Sequence, residues 1–457
     1  MSRAIVWFRR DLSLTDNQAW AQATADHDEV IPLIVLDDRL LDAAGPFRRA
    51  QYLASVAALG RDLEDLGGAL TIRRGAPESI VAGSARELVA NEVVWNNDVS
   101  RGAQRRDTLT QRSLESVGIP VATAWSTLAH PPGSVLTASG SVSRVFTPFY
   151  RRWIERPIGP RVDAGAARVL AVAGDALPDH PDPPHAAGAR AALERLEAFQ
   201  HHVDEYEATR DRPDLDLTAK ISADLRFGVI SPRDVIRAIG DTTPGRRAFV
   251  RQLAWRDWYA HLFAATPDLV DHPQQPAYEQ IAWRNDPAEL TAWRDGMTGY
   301  PIVDAAMRQL TATGWMHNRL RLIVASFLVK DLLVDWRLGE RHFRRLLVDG
   351  DIPQNAGNWQ WCAGTGPDAA PYFRVMNPIT QARRWDPDGD YVRRWVPELA
   401  QLRGSAVHAP WEIGPLELAA AGIVLGESYP SPIVDHAAAR ERALEIYGAA
   451  RDAAGPR

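Results

Sequence analysis

The sequence predicts an α/β domain built on a doubly wound parallel sheet, followed by an all-α C-terminal domain. Short runs rich in β-branched and aromatic residues alternate with helix-patterned stretches over about the first 125 residues. From about Ala192 onward no strand signal recurs, and between the two regions lies a stretch rich in Pro, Gly and Ala. Alternating strands and helices make a parallel sheet with helices on its faces, whereas helical pattern alone makes a packed bundle. At 457 residues the chain exceeds one ordinary domain of roughly 100–200 residues. The expected partition is an α/β domain over 1–126, a linker over 127–195 and a helical domain over 196–457.

Taken in order, Ile5–Phe8, Val30–Leu36, Leu70–Arg73, Glu92–Trp95 and Val121–Trp125 read as buried strands. Helical stretches separate them near Asn17–Ala25, Phe47–Leu66, Pro77–Leu88 and Ala103–Ser116. No GxGxxG follows a strand, so ordinary dinucleotide binding is not indicated. Ligands of such sheets lie off the carboxyl ends of the strands, where Arg9, Arg10, Asp11, Asp37, Asp38, Asn96, Asn97 and Asp98 fall. Asx residues at these places also serve simply as caps and turn formers. The linker holds one aromatic island, Val145–Ile154. Beyond it, LTAKISADLRFGVIS reads as helical up to Gly228, and Ser231-Pro232 restarts a helix with a cap and a proline at its first position. A helix from Arg246 to about Ala264 puts Gln252, Trp255, Arg256 and Tyr259 on one face.

Composition narrows the class. The single cysteine, Cys362, excludes an intrachain disulfide and fits a reducing cytoplasm. No apolar run approaches a transmembrane span, and charges stand where a signal peptide needs an apolar core. No membrane association and no metal site are expected. The formal charge of −6 argues against a protein that coats nucleic acid, but the charge is uneven. Trp315–Arg345 carries seven Lys/Arg against three acidic residues, and Phe373–Arg394 five Arg against three Asp. A basic, aromatic-rich face on an acidic protein and plain solvated helix faces both fit that pattern.

The most informative stretch is Thr291–Asp386, which holds six of the sixteen tryptophans: Trp293, Trp315, Trp336, Trp359, Trp361 and Trp385. Tryptophan is commonly core or interface filler, so density alone decides nothing. The order of motifs is more specific: W-x4-TGYPIVDAAMRQL, then TGWMHNR, DGD at Asp349–Asp351, and NWQW. Together they resemble the flavin-binding half of the photolyase/cryptochrome family, in its bacterial class I DNA photolyase branch. The resemblance runs from Ala4 to about Trp411, is densest from Gln252 to Glu398, and resumes in the tail at YPSPIVDH. It implies FAD, active as FADH⁻, and UV-damaged DNA as the partner of a monomeric carbon–carbon lyase. That enzyme would split cyclobutane pyrimidine dimers by light-driven electron transfer.

Residue by residue, the resemblance makes Tyr206 and Thr218-Ala219-Lys220-Ile221-Ser222 the flavin phosphate segment. Asp349, Gly350 and Asp351 would lie around the isoalloxazine and ribityl groups, with Arg321 balancing Asp349. Asn355 would face flavin N5, where an amide oxygen can accept without adding charge. Plant-type cryptochromes usually carry Asp there and animal-type ones Cys, so Asn favours repair. Trp359, Trp336 and Trp283 match, outward from the flavin, the electron relay for photoreduction. Trp255 and Trp361 match the two lesion-pocket tryptophans; Arg210, Gln252, Arg256, Tyr259, Asn318, Arg319, Leu322 and Gln381 would face DNA.

Three positions depart from the pattern. Gln252 replaces the usual pocket Glu, and so offers a fixed NH₂ donor without an exchangeable proton. Leu322 replaces a pocket Met and loses the thioether. Gly102-Ala103 stands where folate-binding members have Asn-Glu, so any second, antenna chromophore is expected to be of deazaflavin type, at Arg49 and Asp98, in preference to folate, with an FMN-filled or empty site as the alternative. Gln at the pocket position also occurs in (6-4) photolyases. Those use a histidine pair, whereas this chain offers His317 but has Asn318 and Leu322 at the other two positions. A blue-light receptor of cryptochrome type with little repair is the remaining alternative.

Overall fold

The computed structural model describes residues 1–453. Met1–Glu207, Ala219–Pro267 and Val348–Pro353 form one compact unit; Ala208–Thr218, Asp268–Leu347 and the chain from Gln354 onward form the other. The first unit thus takes in helices beyond 195, among them one that packs on the aromatic island of the stretch between 126 and 195.

In the first unit, β1 (Arg3–Phe8), β2 (Glu29–Leu36), β3 (Thr71–Arg74), β4 (Glu92–Asn96) and β5 (Val121–Ala124) form a parallel sheet in the order β3-β2-β1-β4-β5. Every residue of β2 is buried, as expected where helices cover both faces. The helices are α1 (Gln18–Asp26), α2 (Asp38–Ala43), α3 (Pro46–Glu64), α4 (Pro77–Glu87) and α5 (Arg101–Glu115). Asn17 caps α1 and Ser100 caps α5 through their side-chain oxygens, while α3 and α4 begin with proline. Trp7 and Trp95 meet edge to face at 5.4 Å inside the sheet's core with Ile31, Leu33, Val93 and Leu114. The strand order reverses between β1 and β4, which makes their carboxyl ends the crevice of the sheet.

The stretch expected to be a linker is partly structured. Its aromatic island forms α6 (Phe146–Glu155), and Arg168–Val169 adds a short β6 beside Glu29 and Val30 of β2. Arg168 is ion-paired with Glu29, and Gly68 lets Val169 approach, since a Cβ there would lie 2.3 Å from a Val169 methyl. Then follow α7 (Ala189–Gln200), α8 (Tyr206–Thr209), α9 (Ser222–Phe227), α10 (Pro232–Ile239) and α11 (Pro244–Ala265). The helix expected from Leu217 begins only at Ser222, because Asp216 and Lys220 adopt left-handed backbone at φ 54° and 50°. Gly228 caps α9 in the left-handed region, and Ser231 with Pro232 starts α10, as the sequence indicates.

The second unit is helical among the described residues, apart from an isolated bridge between Leu425 and Tyr429. Its helices are α12 (Pro287–Asp295), α13 (Pro301–Thr313), α14 (Asn318–Ser326), α15 (Trp336–Leu346), α16 (Ile352–Ala363), α17 (Pro378–Trp385), α18 (Asp390–Trp395), α19 (Pro415–Ala420) and α20 (His436–Ala453). A π-helical turn, Phe327–Asp331, continues α14 and turns Lys330 and Asp331 inward. Lys330 Nζ donates to the carbonyls of Ala363 and Tyr372 at 3.1 and 3.3 Å and lies 3.4 Å over the Tyr447 ring. It thereby ties the end of α16 and the middle of the following loop to α20, and burial pushes its pKa down to about 7. No helix among the described residues is long and apolar enough to cross a membrane.

Candidate functional site

In the first unit, the carboxyl end of β1 meets the Asp349-Gly350-Asp351 turn. Arg10 Nη1 lies 2.5 Å from Asp351 Oδ2, and Arg10 Nε lies 2.6 Å from Asp98 Oδ2 just beyond β4. Arg226 of α9 donates to the Gly350 carbonyl at 3.0 Å and sits 3.7 Å from Asp351. Burial alone would raise both carboxyl pKa values. Arg10 outweighs it: with the Ser100 N–H it holds Asp98 at about 2, and with Arg226 it lowers Asp351. The same burial, with Arg10 beside it, pushes Arg226 down to about 10. The loop carrying Arg10 is clamped to α9. Leu12 N–H donates to the Phe227 carbonyl, and a Cβ on Gly228 would stand 2.6 Å from the Arg10 oxygen. Asp98, expected with Arg49 at an antenna site, is thus committed to Arg10 and Ser100, while Arg49 reaches Asp42 at 3.5 Å.

On α11, Gln252, Trp255 and Arg256 are half-buried and Tyr259 is buried. Gln252 Nε2 donates to the Ala248 carbonyl at 3.0 Å. Arg256, expected to face DNA, donates to the backbone carbonyls of Thr127 and Leu225 and so braces the unit itself. Trp255 lies flat on Phe146 of α6, with ring centroids 3.7 Å apart and planes 11° apart. Of the expected phosphate segment, Thr218 holds a buried hydroxyl without a hydrogen-bond partner. The left-handed Lys220 then redirects the chain into α9.

In the second unit, Asn355 of α16 is 8% exposed, and its Nδ2 donates to the Glu340 carbonyl at 2.9 Å and to Glu340 Oε1 at 2.8 Å. Both amide hydrogens are therefore used, which fixes the amide's orientation and leaves Oδ1 as an acceptor. Glu340 is itself 2% exposed and accepts from Arg344 at 2.8 Å; burial raises its pKa against the pull of Arg344.

Trp359 is buried, edge-on to Phe343 at 5.1 Å and to Trp293 at 6.1 Å, and lies against Gly339, where a Cβ would be 2.2 Å from the indole. Trp336, fully buried, sits one turn before Gly339 on α15. The backbone N–H beside Trp283, that of Arg284, donates to Leu333, three residues before Trp336, and Trp283 is half-buried against Tyr447. Of the three tryptophans expected to form a relay, Trp359 and Trp336 are buried and Trp283 is partly exposed.

Arg319 pairs with Asp211 at 2.8 Å, Arg210 lies 4.0 Å from the same carboxylate, and Gln381 accepts from Trp385 Nε1 at 3.1 Å. Trp385 is flanked by the Arg319 and Arg384 guanidinium groups at 4.9 and 4.4 Å, a basic and aromatic cluster. Asn318 is exposed, Leu322 and Trp361 are half-buried, and Arg321 Nε donates to the Met316 carbonyl at 2.8 Å. His317 caps α14 by accepting the Arg319 N–H on Nδ1, and burial pushes its pKa down to about 4. Four residues to which sequence reasoning gave no supporting role hold these groups in place: Arg10, Phe146, Glu340 and Trp385. Glu340 and Trp385 lie inside the singled-out stretch, Phe146 in the aromatic island and Arg10 at the carboxyl end of β1, but no local signal named their partners.

Known proteins resemble this chain along its whole length. Residues 249–449 match the family model described as the FAD binding domain of DNA photolyase, and residues 4–166 match the DNA photolyase model. A Halobacterium salinarum protein named deoxyribodipyrimidine photo-lyase is 40% identical, covering 98% of this chain and 99% of its own. A bacterial class III photolyase from Agrobacterium tumefaciens superposes with a TM-score of 0.92 at 38% identity, covering 99% of this chain and 98% of its own. A Synechocystis cryptochrome reaches 0.88 at 28% identity, covering 98% and 99%. With full-length identity at this level and both family models matched, this chain belongs to the photolyase/cryptochrome family.

Proposed function

We propose that this chain is a deoxyribodipyrimidine photo-lyase, which uses light to split cyclobutane pyrimidine dimers in DNA. The observation that carries the reading is Asn355, whose NH₂ is fully taken up by Glu340 so that an uncharged carbonyl oxygen is the group on offer. That acceptor, the partnerless Thr218 hydroxyl and the arginine-anchored Asp351 fit an FAD, held further by Tyr206, Ala219–Ser222, Arg321, Asp349 and Gly350. Bound as FADH⁻, this cofactor supplies the electron that a light-driven cleavage needs and no side chain provides.

The chain's own residues bind and expose the lesion. Extruding a dimer costs a few kcal/mol, and stacking on an aromatic side chain returns about 1–3 kcal/mol per base. Trp255 and Trp361 supply those surfaces, with Gln252, Tyr259, Asn318 and Leu322 contacting the dimer. Arg210, Arg319 and Gln381 hold flanking phosphates or polar edges, giving an affinity that falls as salt rises. Trp359, Trp336 and Trp283 conduct an electron inward from the surface to regenerate the reduced cofactor. A second, deazaflavin-type chromophore at the carboxyl edge of the sheet remains part of this reading, since Gly102-Ala103 offers no Asn-Glu pair for folate.

The likeness to a cryptochrome, together with Gln252 in place of Glu, supports a second reading as a light receptor with little repair. A (6-4) photolyase is less well supported: His317 is neutral near pH 7 and spends Nδ1 on the Arg319 N–H. The test is loss of dimers from UV-irradiated oligo(dT) by chemically reduced protein, in blue light and in darkness. Loss only in light is expected. No loss from FAD-bound, reduced protein would overturn repair of this lesion and favour signalling or the (6-4) lesion.

A further inference from the structure

We propose that Phe146, contributed by the segment between the sheet and the helical bundle, is a positioning residue that holds the Trp255 indole for one-sided stacking on a flipped base. The inference rests on the photolyase reading of Trp255 and adds to it a residue outside the pocket helix.

Phe146 is 1% exposed, while Trp255 is half-buried. Their rings are nearly parallel at a centroid distance of 3.7 Å, so one whole face of the indole is covered. Trp258 stands edge-on to the indole at 5.2 Å and 81°, and Tyr259 flanks it at 6.0 Å. The exposure that Trp255 retains therefore belongs to its opposite face and rim. A base can stack there and nowhere else on this ring.

The backing ring is itself held from several sides. Trp258 Nε1 donates to the Ser143 carbonyl at 2.8 Å, which sews the start of α6 to α11. Phe146 stacks on Tyr150 at 5.7 Å and 19°, and meets Trp258 edge-on at 5.8 Å. The exposed Arg251 lays its guanidinium 5.4 Å from both the Phe146 and the Tyr150 centroids. An aromatic column thus runs from a surface cation to the indole. Without its backing, an indole has more orientations to lose when a base binds. Ordering one such side chain lowers affinity by about 2- to 13-fold.

The experiment uses the FAD-loaded full chain and measures affinity for oligo(dT) carrying one dimer and for undamaged oligo(dT). Phe146→Leu is expected to weaken dimer binding about fivefold to tenfold, leaving FAD absorbance and undamaged-DNA affinity unchanged. With 5-fluorotryptophan, the Trp255 resonance, assigned by its disappearance in Trp255→Phe, is expected to broaden and lose its ring-current shift. Phe146→Met, of similar volume, replaces Leu should that variant melt below the assay temperature. If Trp255→Ala weakens dimer binding and the Phe146 variants do not, the role of Phe146 is overturned while the reading of Trp255 stands. If Trp255→Ala leaves dimer binding intact, the reading of Trp255 falls and this inference with it.

Discussion

Asn355 gives both hydrogens of its side-chain amide to Glu340, one to the backbone oxygen at 2.9 Å and one to Oε1 at 2.8 Å. An amide with both hydrogens spent cannot flip without leaving a buried carbonyl against a buried carboxylate. Asn355→Asp creates that conflict permanently. The variant is expected to lose about 3 kcal/mol of stability at pH 8, because a second buried carboxylate has no cation of its own. The loss should shrink toward pH 5, as the two carboxyls share a proton. Urea midpoints at the two pH values measure this; equal losses at both would show that the Glu340 contact does not govern the effect.

The Trp359 indole lies against Gly339 with room for a hydrogen but not a methyl. Gly339→Ala should cost about 1–3 kcal/mol by overpacking and displace the indole. Trp359→Phe should cost about 1–3 kcal/mol through the cavity left by the smaller ring, but keep the fold and abolish photoreduction of oxidised FAD by added thiol. Repair by chemically reduced Trp359→Phe should stay near the parent rate. Parallel loss of both activities would count against the relay assignment.

Arg10 is the cation shared by Asp98 and Asp351. Arg10→Met takes from two buried carboxylates the cation that pairs directly with both, and is expected to destabilise by about 3–5 kcal/mol near neutral pH. Since Arg10 is what holds Asp98 at about 2, the carboxyls of the variant protonate more readily and the deficit should narrow in acid. Thermal unfolding from pH 5 to 8, with FAD content determined in parallel, is the check.

His317 sets an acid limit. Its pKa is about 4 in the folded chain against an ordinary value of 6.5, so between those values the unfolded chain binds more protons. Its contribution to stability is complete above pH 6.5 and is lost as pH falls toward 4, by up to about 3 kcal/mol. His317→Asn keeps a side-chain oxygen to cap α14 but does not titrate. This variant should flatten the dependence of the denaturation midpoint on pH across that window, whereas an unchanged slope would assign it to other groups.

The five strands and the order of helices could be read along the chain because their determinants are local. Strands such as Val30–Leu36 are apolar throughout since both faces are covered, and Ser231-Pro232 and Gly228 punctuate helices through their own backbone preferences. The motif order from Trp293 to Trp361 likewise singled out Asn355, Trp359 and the Asp349–Asp351 turn. What those residues touch was not legible. Glu340 lies fifteen positions before Asn355, Phe146 more than a hundred before Trp255, and Arg10 more than three hundred before Asp351. A partner's distance along the chain bears no relation to its distance in space once helices pack. Tertiary structure alone therefore decided that Asn355 presents oxygen, that Trp255 has a single open face, that Asp98 belongs to Arg10, and that Arg256 braces backbone carbonyls. Each of these depends on which buried donor, acceptor or ring had to be satisfied by a group from elsewhere in the chain.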